Sequence, residues 1–280
     1  MKKLWSIITA AVALLSLSAC SSTKSTNSTI SATKNDSFSF FHYAKINKRL
    51  YFNISQNGAS NMGVNTNINS ILLVDSGKAT VYNTGGEAST LSLGDLKGLT
   101  DSQIIEKAKT IDENIFNKNL QQNITKLKSK SFAAEAPYTQ TVNLLQTIKY
   151  KVPQPHNLTV KVITDNTGNN ISSEEIFVPA TIYLDKGSIP VILDGQTPNT
   201  TGTDYNPYEM ISYYDGTNKE SKFDFTFTSA LGKNTYTIFD TKYTGYHLDN
   251  REAYLLTKSE NGSYTVLDKA SEKGLSVSTK

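Results

Sequence analysis

Short runs in which aromatic and β-branched residues alternate with polar ones recur along most of the chain and predict a β-rich fold. Two aromatic runs, Ser37 to Ala44 and Arg49 to Ile54, predict strands near the start of this pattern. The stretch Ser70 to Asn83 contains two apolar runs on either side of Asp75-Ser76-Gly77-Lys78. A glycine-containing turn between two such runs predicts a β-hairpin.

One block, about residues 100–128, has the periodicity of a helix instead. Thr100 followed by Gln103 fits a capping box, in which each side chain satisfies a free amide of the first turn. Apolar residues follow at spacings of four, three and four, as one helix face requires: Ile104, Ala108, Ile111 and Ile115. Beyond Phe116 the apolar residues change side: Leu120, Ile124 and Leu127. The helix therefore either wraps between two surfaces or breaks near Asp112 to Asn119.

Period-two alternation returns in the second half of the chain and predicts antiparallel strands with one solvated face. A turn at Asp185 to Ser188 predicts a further hairpin ending at Ile189 to Leu193. The proposed strands are Tyr138 to Val152, Leu158 to Val162, Ile176 to Leu184, Phe223 to Phe227, Tyr236 to Phe239, Lys242 to His247, Ala253 to Thr257 and Ser263 to Leu267. The predicted class is β-rich α+β, with antiparallel sheets and one long or broken helix, residues 37–135 and 136–280 forming one domain or two.

The first 20 residues have neither the strand pattern nor the helix pattern described above. Lys2 and Lys3 precede an apolar run from Leu4 to Leu17, which indicates an export signal. The run is shorter than the roughly 20 apolar residues of a membrane-spanning helix. It ends in Leu17-Ser18-Ala19-Cys20, which resembles the lipobox of bacterial lipoproteins.

That resemblance implies cleavage between Ala19 and Cys20 and an S-diacylglycerol on Cys20, with or without an N-acyl chain such as palmitate. Residues 1–19 would then be the signal peptide, and residues 20–36 the lipidated Cys with a Ser/Thr/Asn-rich flexible tether. The implied location is the extracytoplasmic face of a plasma membrane, because two acyl chains anchor a protein stably. An ordinary secretory signal or a buried structural thiol at Cys20 is the alternative.

Composition narrows the classes of function. The 280 residues are 38% hydrophobic and 19% charged, as in a globular protein. A formal net charge of +3, which falls to +1 when Lys2 and Lys3 leave with the signal, gives no indication of nucleic-acid binding. The single Cys excludes an intrachain disulfide and a Cys-cluster metal site. No cofactor or metal is predicted, since no phosphate-binding loop or metal-ligand spacing occurs, and the oligomeric state stays open.

Candidate chemistry is sparse. His247 and Asp249 have the residue types of a base and its orienting acid, although a turn with surface polar residues explains them equally well. Aromatic side chains can stack on sugars or grip peptides, and the densest such group is Tyr205, Tyr208, Tyr213 and Tyr214. Half-buried strand residues would give the same pattern.

Two segments, Asn69 to Asn83 and Leu91 to Lys109, together with the lipobox, resemble surface lipoproteins of low-GC Gram-positive bacteria, especially lactic-acid bacteria. The resemblance implies a location and carries no catalytic residue. We therefore expect a non-enzymatic, membrane-anchored module that contacts an envelope protein, a peptide or a glycan. The alternatives are a cell-envelope hydrolase or transferase, and a structural or immunity lipoprotein that masks another surface protein.

Overall fold

A computed structural model describes residues 37–55, 62–86, 90–129, 133–189, 207–217, 222–248 and 253–279. The predictions made for Ala19, Cys20 and the tether lie outside these residues, as does the whole segment from 190 to 206. Ala32 to Lys280 form one compact unit, to which every described residue belongs.

Strand is the commonest regular structure in the described chain, as the alternating pattern predicts. The strands are β1 (Ser37–Ser39), β2 (Lys48–Ser55), β3 (Asn67–Asp75), β4 (Lys78–Asn83), β5 (Leu91–Ser92), β6 (His156–Asn157), β7 (Thr159–Thr164), β8 (Ile171–Pro179), β9 (Lys222–Ala230), β10 (Tyr236–Ile238), β11 (Thr241–Leu248), β12 (Ala253–Lys258), β13 (Tyr264–Val266) and β14 (Ser276–Thr279). The helices are α1 (Phe40–Ala44), α2 (Asp101–Lys128), α3 (Ala136–Thr147) and α4 (Pro207–Asp215).

One mixed sheet has the strand order β14-β7-β8-β9-β11-β12-β2-β3-β4-β6, with β10 pairing β11 and β5 pairing β3. Its pairs are antiparallel except for β14 beside β7, and β1 pairs with β13 in parallel in a separate small sheet. The predicted β-rich α+β class is confirmed. Since β12 lies next to β2, strands from both halves of the sequence build the same sheet.

Strands β2, β3 and β4 are buried on both faces, which explains why their sequences read as nearly continuous apolar runs. Phe52 and Ile54 face a core shared with the first half of α2, whereas Tyr51 faces a second core with Phe40 and Tyr246. The turn between β3 and β4 has Ser76 at φ 50° and Gly77 at φ 77°, so the predicted hairpin forms with a left-handed two-residue turn.

Helix α2 is unbroken. Thr100 Oγ1 accepts the Gln103 N–H and Gln103 Oε1 accepts the Thr100 N–H, which confirms the capping box. The change of apolar face beyond Phe116 comes from a change of partner: the first half packs on the sheet, and the second half packs on α3 and α4 through Leu120, Ile124 and Leu127. Of the two options, wrapping between two surfaces is the one observed.

The strand predicted over Ser37 to Ala44 is wrong beyond Ser39, because Phe40–Ala44 is the short helix α1. Asp268, far away in sequence, accepts the N–H groups of Phe41 and His42 at 2.7 and 3.2 Å. This remote carboxylate caps the helical turn. Phe40, Phe41 and Ala44 are buried, so packing favours the turn as well.

The strand predicted from Tyr138 to Val152 is also wrong, since Ala136–Thr147 is helix α3. Val142 and Leu145 are three residues apart, so they lie on one helix face and pack against α2. Pro137 stands in the first turn, where its missing N–H costs nothing. The apolar residues of this segment fit the period of a strand as well as that of a helix. Packing against α2 favours the helix.

The predicted strand Ile176 to Leu184 is only partly formed, because β8 ends at Pro179. Pro179 is the last residue paired with β9, a position where the missing donor is tolerated. The turn predicted at Asp185 to Ser188 contains a short 3₁₀ helix, Lys186–Ser188. Helix α4 was not predicted, so the sequence pattern found only one of the helices.

Candidate functional site

A cleft of about 470 Å³ lies between the second half of α2, the end of β4, the segment after β8, and helix α4. We call it the α2 cleft. Its walls combine aromatic rings with side-chain amides, and one carboxylate, Asp112, lies among them. The aromatic residues are Phe116, Tyr183, Tyr213, Tyr214 and Phe223, and the amides are Asn83, Asn119, Gln122 and Asn123.

The aromatic wall is held by contacts among its own rings. Phe116 and Tyr183 stack with centroids 4.4 Å apart and an interplanar angle of 27°. Tyr214 meets both rings edge-on, at 6.1 Å from Phe116 and 6.3 Å from Tyr183. Edge-on and offset contacts are the favoured aromatic geometries, so three elements are locked together here.

Hydrogen bonds also hold the aromatic wall in place. The N–H groups of Tyr183 and Leu184 both donate to the carbonyl of Tyr214, at 2.8 and 2.9 Å. Asn123 Nδ2 donates to Tyr214 Oη at 3.1 Å. The segment after β8 is therefore bound to the end of α4, and the end of α4 to helix α2.

The amide row follows from the helical period. Asn119, Gln122 and Asn123, followed by Lys126, recur at the three- and four-residue spacings that share one helix face. Asn119 and Gln122 are exposed. They lie where α2 passes from its sheet-packed half to its α3-packed half, so neither core covers them.

Asp112 is held rigidly in the α2 cleft. Its Oδ1 accepts the Asn83 N–H at 3.0 Å and its Oδ2 accepts the Tyr150 hydroxyl at 2.8 Å. Burial raises the pKa of Asp112, and these two hydrogen bonds act in the opposite direction. Burial, and next the Asp112 carboxylate, raise the pKa of Tyr150. Both carboxylate oxygens are engaged, so Asp112 fixes the shape of the cleft.

Exposed apolar side chains surround the cleft. Tyr213 is 41% exposed and lines it, Ile182 is 52% exposed between two lining residues, and Val152 is 42% exposed beside lining Pro153. Lys151 Nζ donates to the carbonyls of Ile182 and Tyr183 at 3.0 and 3.3 Å, which holds this rim in place. Clustered exposed apolar residues beside a concave surface are typical of a binding site.

A second hollow of about 720 Å³ lies along the neighbouring side of α2 and shares Ile115, Asn119, Gln122 and Lys126 with the cleft. Gly85 and Gly86 form part of its opposite side. The two hollows meet at the exposed amides of α2. The two hollows therefore adjoin each other along α2.

The structure brings together some of the residues that the sequence singled out. Tyr213 and Tyr214 line the α2 cleft, although they lie on a helix instead of a strand face. Tyr208 is on the same helix, and Tyr205 lies outside the described residues. The sequence did not single out the other lining residues, such as Phe116, because they come from segments far apart along the chain. The spacing of the amides on α2 is the one sequence pattern that could have indicated the cleft.

His247 is placed elsewhere. It lies on β11, half-buried, with its ring 4.6 Å from the ring of Tyr254, and it is not among the residues that line the cleft. Asp249 lies outside the described residues, so the pairing of His247 with Asp249 stays a prediction.

Two kinds of feature are absent from the described residues. No group of three or more His, Cys, Asp or Glu side chains in these ranges is placed to hold a metal ion. Among the helices described, none offers an apolar stretch long enough to cross a membrane. Comparison of the chain with protein-family models, with curated proteins and with solved structures found no match.

Proposed function

We propose that the protein is a lipid-anchored, extracytoplasmic module that binds a neutral glycan in the α2 cleft. The observation that carries the proposal is the aromatic wall facing a row of side-chain amides. A sugar ring presents an apolar C–H face and a rim of hydroxyls. Aromatic rings complement that face, and amides can donate to and accept from hydroxyls.

The charge of the lining supports a neutral ligand. Asp112 and Lys126 are the only charged residues among those described in the α2 cleft, and they have opposite signs. Both oxygens of Asp112 already accept hydrogen bonds. A cleft with one engaged carboxylate fits binding better than glycoside hydrolysis, which uses a pair of carboxyl groups.

The anchor in this proposal rests on the lipobox resemblance of Leu17-Ser18-Ala19-Cys20. Its test is Cys20→Ser in the producing bacterium. We expect the variant chain to appear in the medium while the wild-type chain stays with the membrane fraction. Membrane retention of the variant would contradict lipid anchoring.

The ligand class is tested by a screen of the purified chain against immobilised neutral oligosaccharides and, in parallel, against a peptide library of matched size. We expect retention on oligosaccharides. Retention on peptides alone would show that the cleft is a peptide groove and would overturn the glycan proposal. Turnover of either ligand would favour the alternative of an envelope hydrolase.

A further inference from the structure

A third concave site lies away from the α2 cleft, at the edge of the β10–β11 hairpin. It has a volume of about 380 Å³ and is lined by Lys233, Thr235, Lys242, Gly262 and Tyr264. We call it the lysine pocket. We infer that the lysine pocket binds the phosphate of anionic lipid headgroups and so orients the folded unit on the membrane.

Within the part of the chain that the structure describes, neither ammonium group has an acidic partner: no carboxylate lies within ion-pair distance of Lys233 or Lys242, and none lines the pocket. Lys233 Nζ lies 5.8 Å from the centre of the Tyr264 ring, a cation–π contact that keeps the charge. The pocket is therefore a concentrated positive site on a nearly neutral protein.

An acidic residue next to the pocket is paired elsewhere. Glu260, in the same turn as Gly262, lies 3.7 Å from the Arg49 guanidinium. Lys258, on the adjoining strand, pairs with Asp101 at 3.2 Å. Neither of these ion pairs, which lie within the described ranges, involves Lys233 or Lys242.

The turn that forms one side of the pocket is well defined. Asn261 and Gly262 have φ values of 53° and 77°, as in a tight left-handed turn. Ser259 Oγ donates to the Ser263 carbonyl at 2.6 Å, and the Ser259 N–H donates to the Lys242 carbonyl at 2.7 Å. Lys242 is therefore tied to this turn through its backbone, so the pocket is pre-formed.

The location of the lysine pocket favours the membrane as the source of the anionic ligand. Strand β1 pairs in parallel with β13, which places Ser37 directly opposite Tyr264. The first described strand thus begins beside the lysine pocket. In the proposed anchored protein the preceding tether leads to Cys20, so the membrane is the anionic surface closest to this strand.

The tether that the sequence predicts over Ser21 to Asp36 would not by itself set an orientation, because a random coil of that length would span roughly 22 Å on average. Clustered lysines near a bilayer are attracted to anionic headgroups, and the attraction falls off within a Debye length. Contact at the lysine pocket would leave one defined face of the unit toward the membrane.

The test is sedimentation of residues 21–280, which contain the whole compact unit but neither the signal nor Cys20. The probes are vesicles of phosphatidylcholine alone and vesicles of equal parts phosphatidylcholine and phosphatidylglycerol. We expect binding to the anionic vesicles only, with a loss of about tenfold on Lys233→Gln combined with Lys242→Gln. The matched control is Lys78→Gln combined with Lys149→Gln, which removes the same charge from exposed lysines elsewhere.

An equal loss in both double variants would overturn the proposal, because it would reflect net charge and not the pocket. Displacement of the protein from vesicles by millimolar inorganic phosphate at constant ionic strength would also overturn it, since a free anion would then be the preferred ligand. The location rests on the proposed lipid anchor, but the chain tested lacks Cys20. Loss of anchoring in the Cys20→Ser experiment and loss of vesicle binding here are therefore separate outcomes.

Discussion

Glu174 Oε1 accepts the backbone N–H of Asp268 at 2.5 Å, and both side chains are 0% exposed. Asp268 in turn caps helix α1 through the N–H groups of Phe41 and His42. This pair of buried acids thus joins strand β8, the segment after β13, and the first helix. Burial, and next the Asp268 carboxylate, raise the pKa of Glu174 to about 9.

The raised pKa of Glu174 predicts that the protein is less stable at alkaline pH. A carboxyl with a higher pKa in the folded than in the unfolded state binds more protons when folded. Its contribution is fully present below the ordinary pKa of 4.5 and is lost as the pH rises to about 9. Between these values the free energy of unfolding should fall by at most about 1.4 kcal/mol per pH unit.

Chemical denaturation at a series of pH values measures this slope. Glu174→Gln keeps the acceptor for Asp268 without the titrating proton, so its slope should be much flatter. Glu175→Gln, which loses only a partly exposed contact with Lys161, should keep the wild-type slope. A wild-type stability that does not change between pH 4.5 and 9 would contradict the account.

Gly245 lies in the middle of β11, where an added Cβ would collide with the backbone of β12. The Cα of Leu256 would be only 2.9 Å from that Cβ, and a paired strand cannot move away. We expect Gly245→Ala to lower the free energy of unfolding by about 3 kcal/mol. The control is Gly63→Ala, where nothing lies within 4 Å of the added atom. Equal stabilities of the two variants would show that β11 and β12 are not packed as described.

The capping box of α2 predicts a smaller effect. Thr100→Ala should cost about 1 kcal/mol in thermal or chemical unfolding, because it leaves the Gln103 N–H without its side-chain acceptor. Thr110→Ala is the control on the same helix, since alanine is the better helix former at an exposed interior position. A larger loss for Thr110→Ala than for Thr100→Ala would contradict the position of the helix start.

We expect substitution of an amide in the α2 cleft to weaken ligand binding without lowering the stability of the protein. Asn119→Ala removes an exposed side chain from the α2 cleft, whereas Asn114→Ala removes another exposed amide from the same helix outside the cleft. We expect Asn119→Ala to weaken oligosaccharide binding about fivefold, as loss of one hydrogen bond predicts. Unchanged affinity in Asn119→Ala, measured by calorimetric titration, would remove the amides from the proposed site.

Local signals in the sequence predicted local structure well. The capping box at Thr100 and the turn at Ser76-Gly77 specify their elements through neighbouring residues, and both are observed. Helix α1 depends on Asp268, which no local pattern connects to Phe41. Helix α3 depends on packing against α2, since its apolar spacing fits a strand as well as a helix.

The candidate site was harder to predict for the same reason. Tyr213 and Tyr214 stood out as an aromatic group, yet the ring that Tyr214 packs against, Phe116, lies on helix α2, far away in the sequence. The bond from Tyr150 to Asp112 joins two elements whose proximity depends on the whole fold. The sequence indicated single residues of the cleft. It did not indicate that these residues come together in the folded protein.

The most direct test of the proposed function compares two exposed aromatic residues by titrating the best oligosaccharide from the screen. Tyr213, 41% exposed, lines the α2 cleft; Phe239, 46% exposed, lies outside it beside Lys97. We predict that Tyr213→Ala weakens binding about tenfold, as loss of an aromatic contact would, while Phe239→Ala leaves the affinity unchanged. Equal affinities in the two variants, with both chains folded, would contradict glycan binding in the α2 cleft.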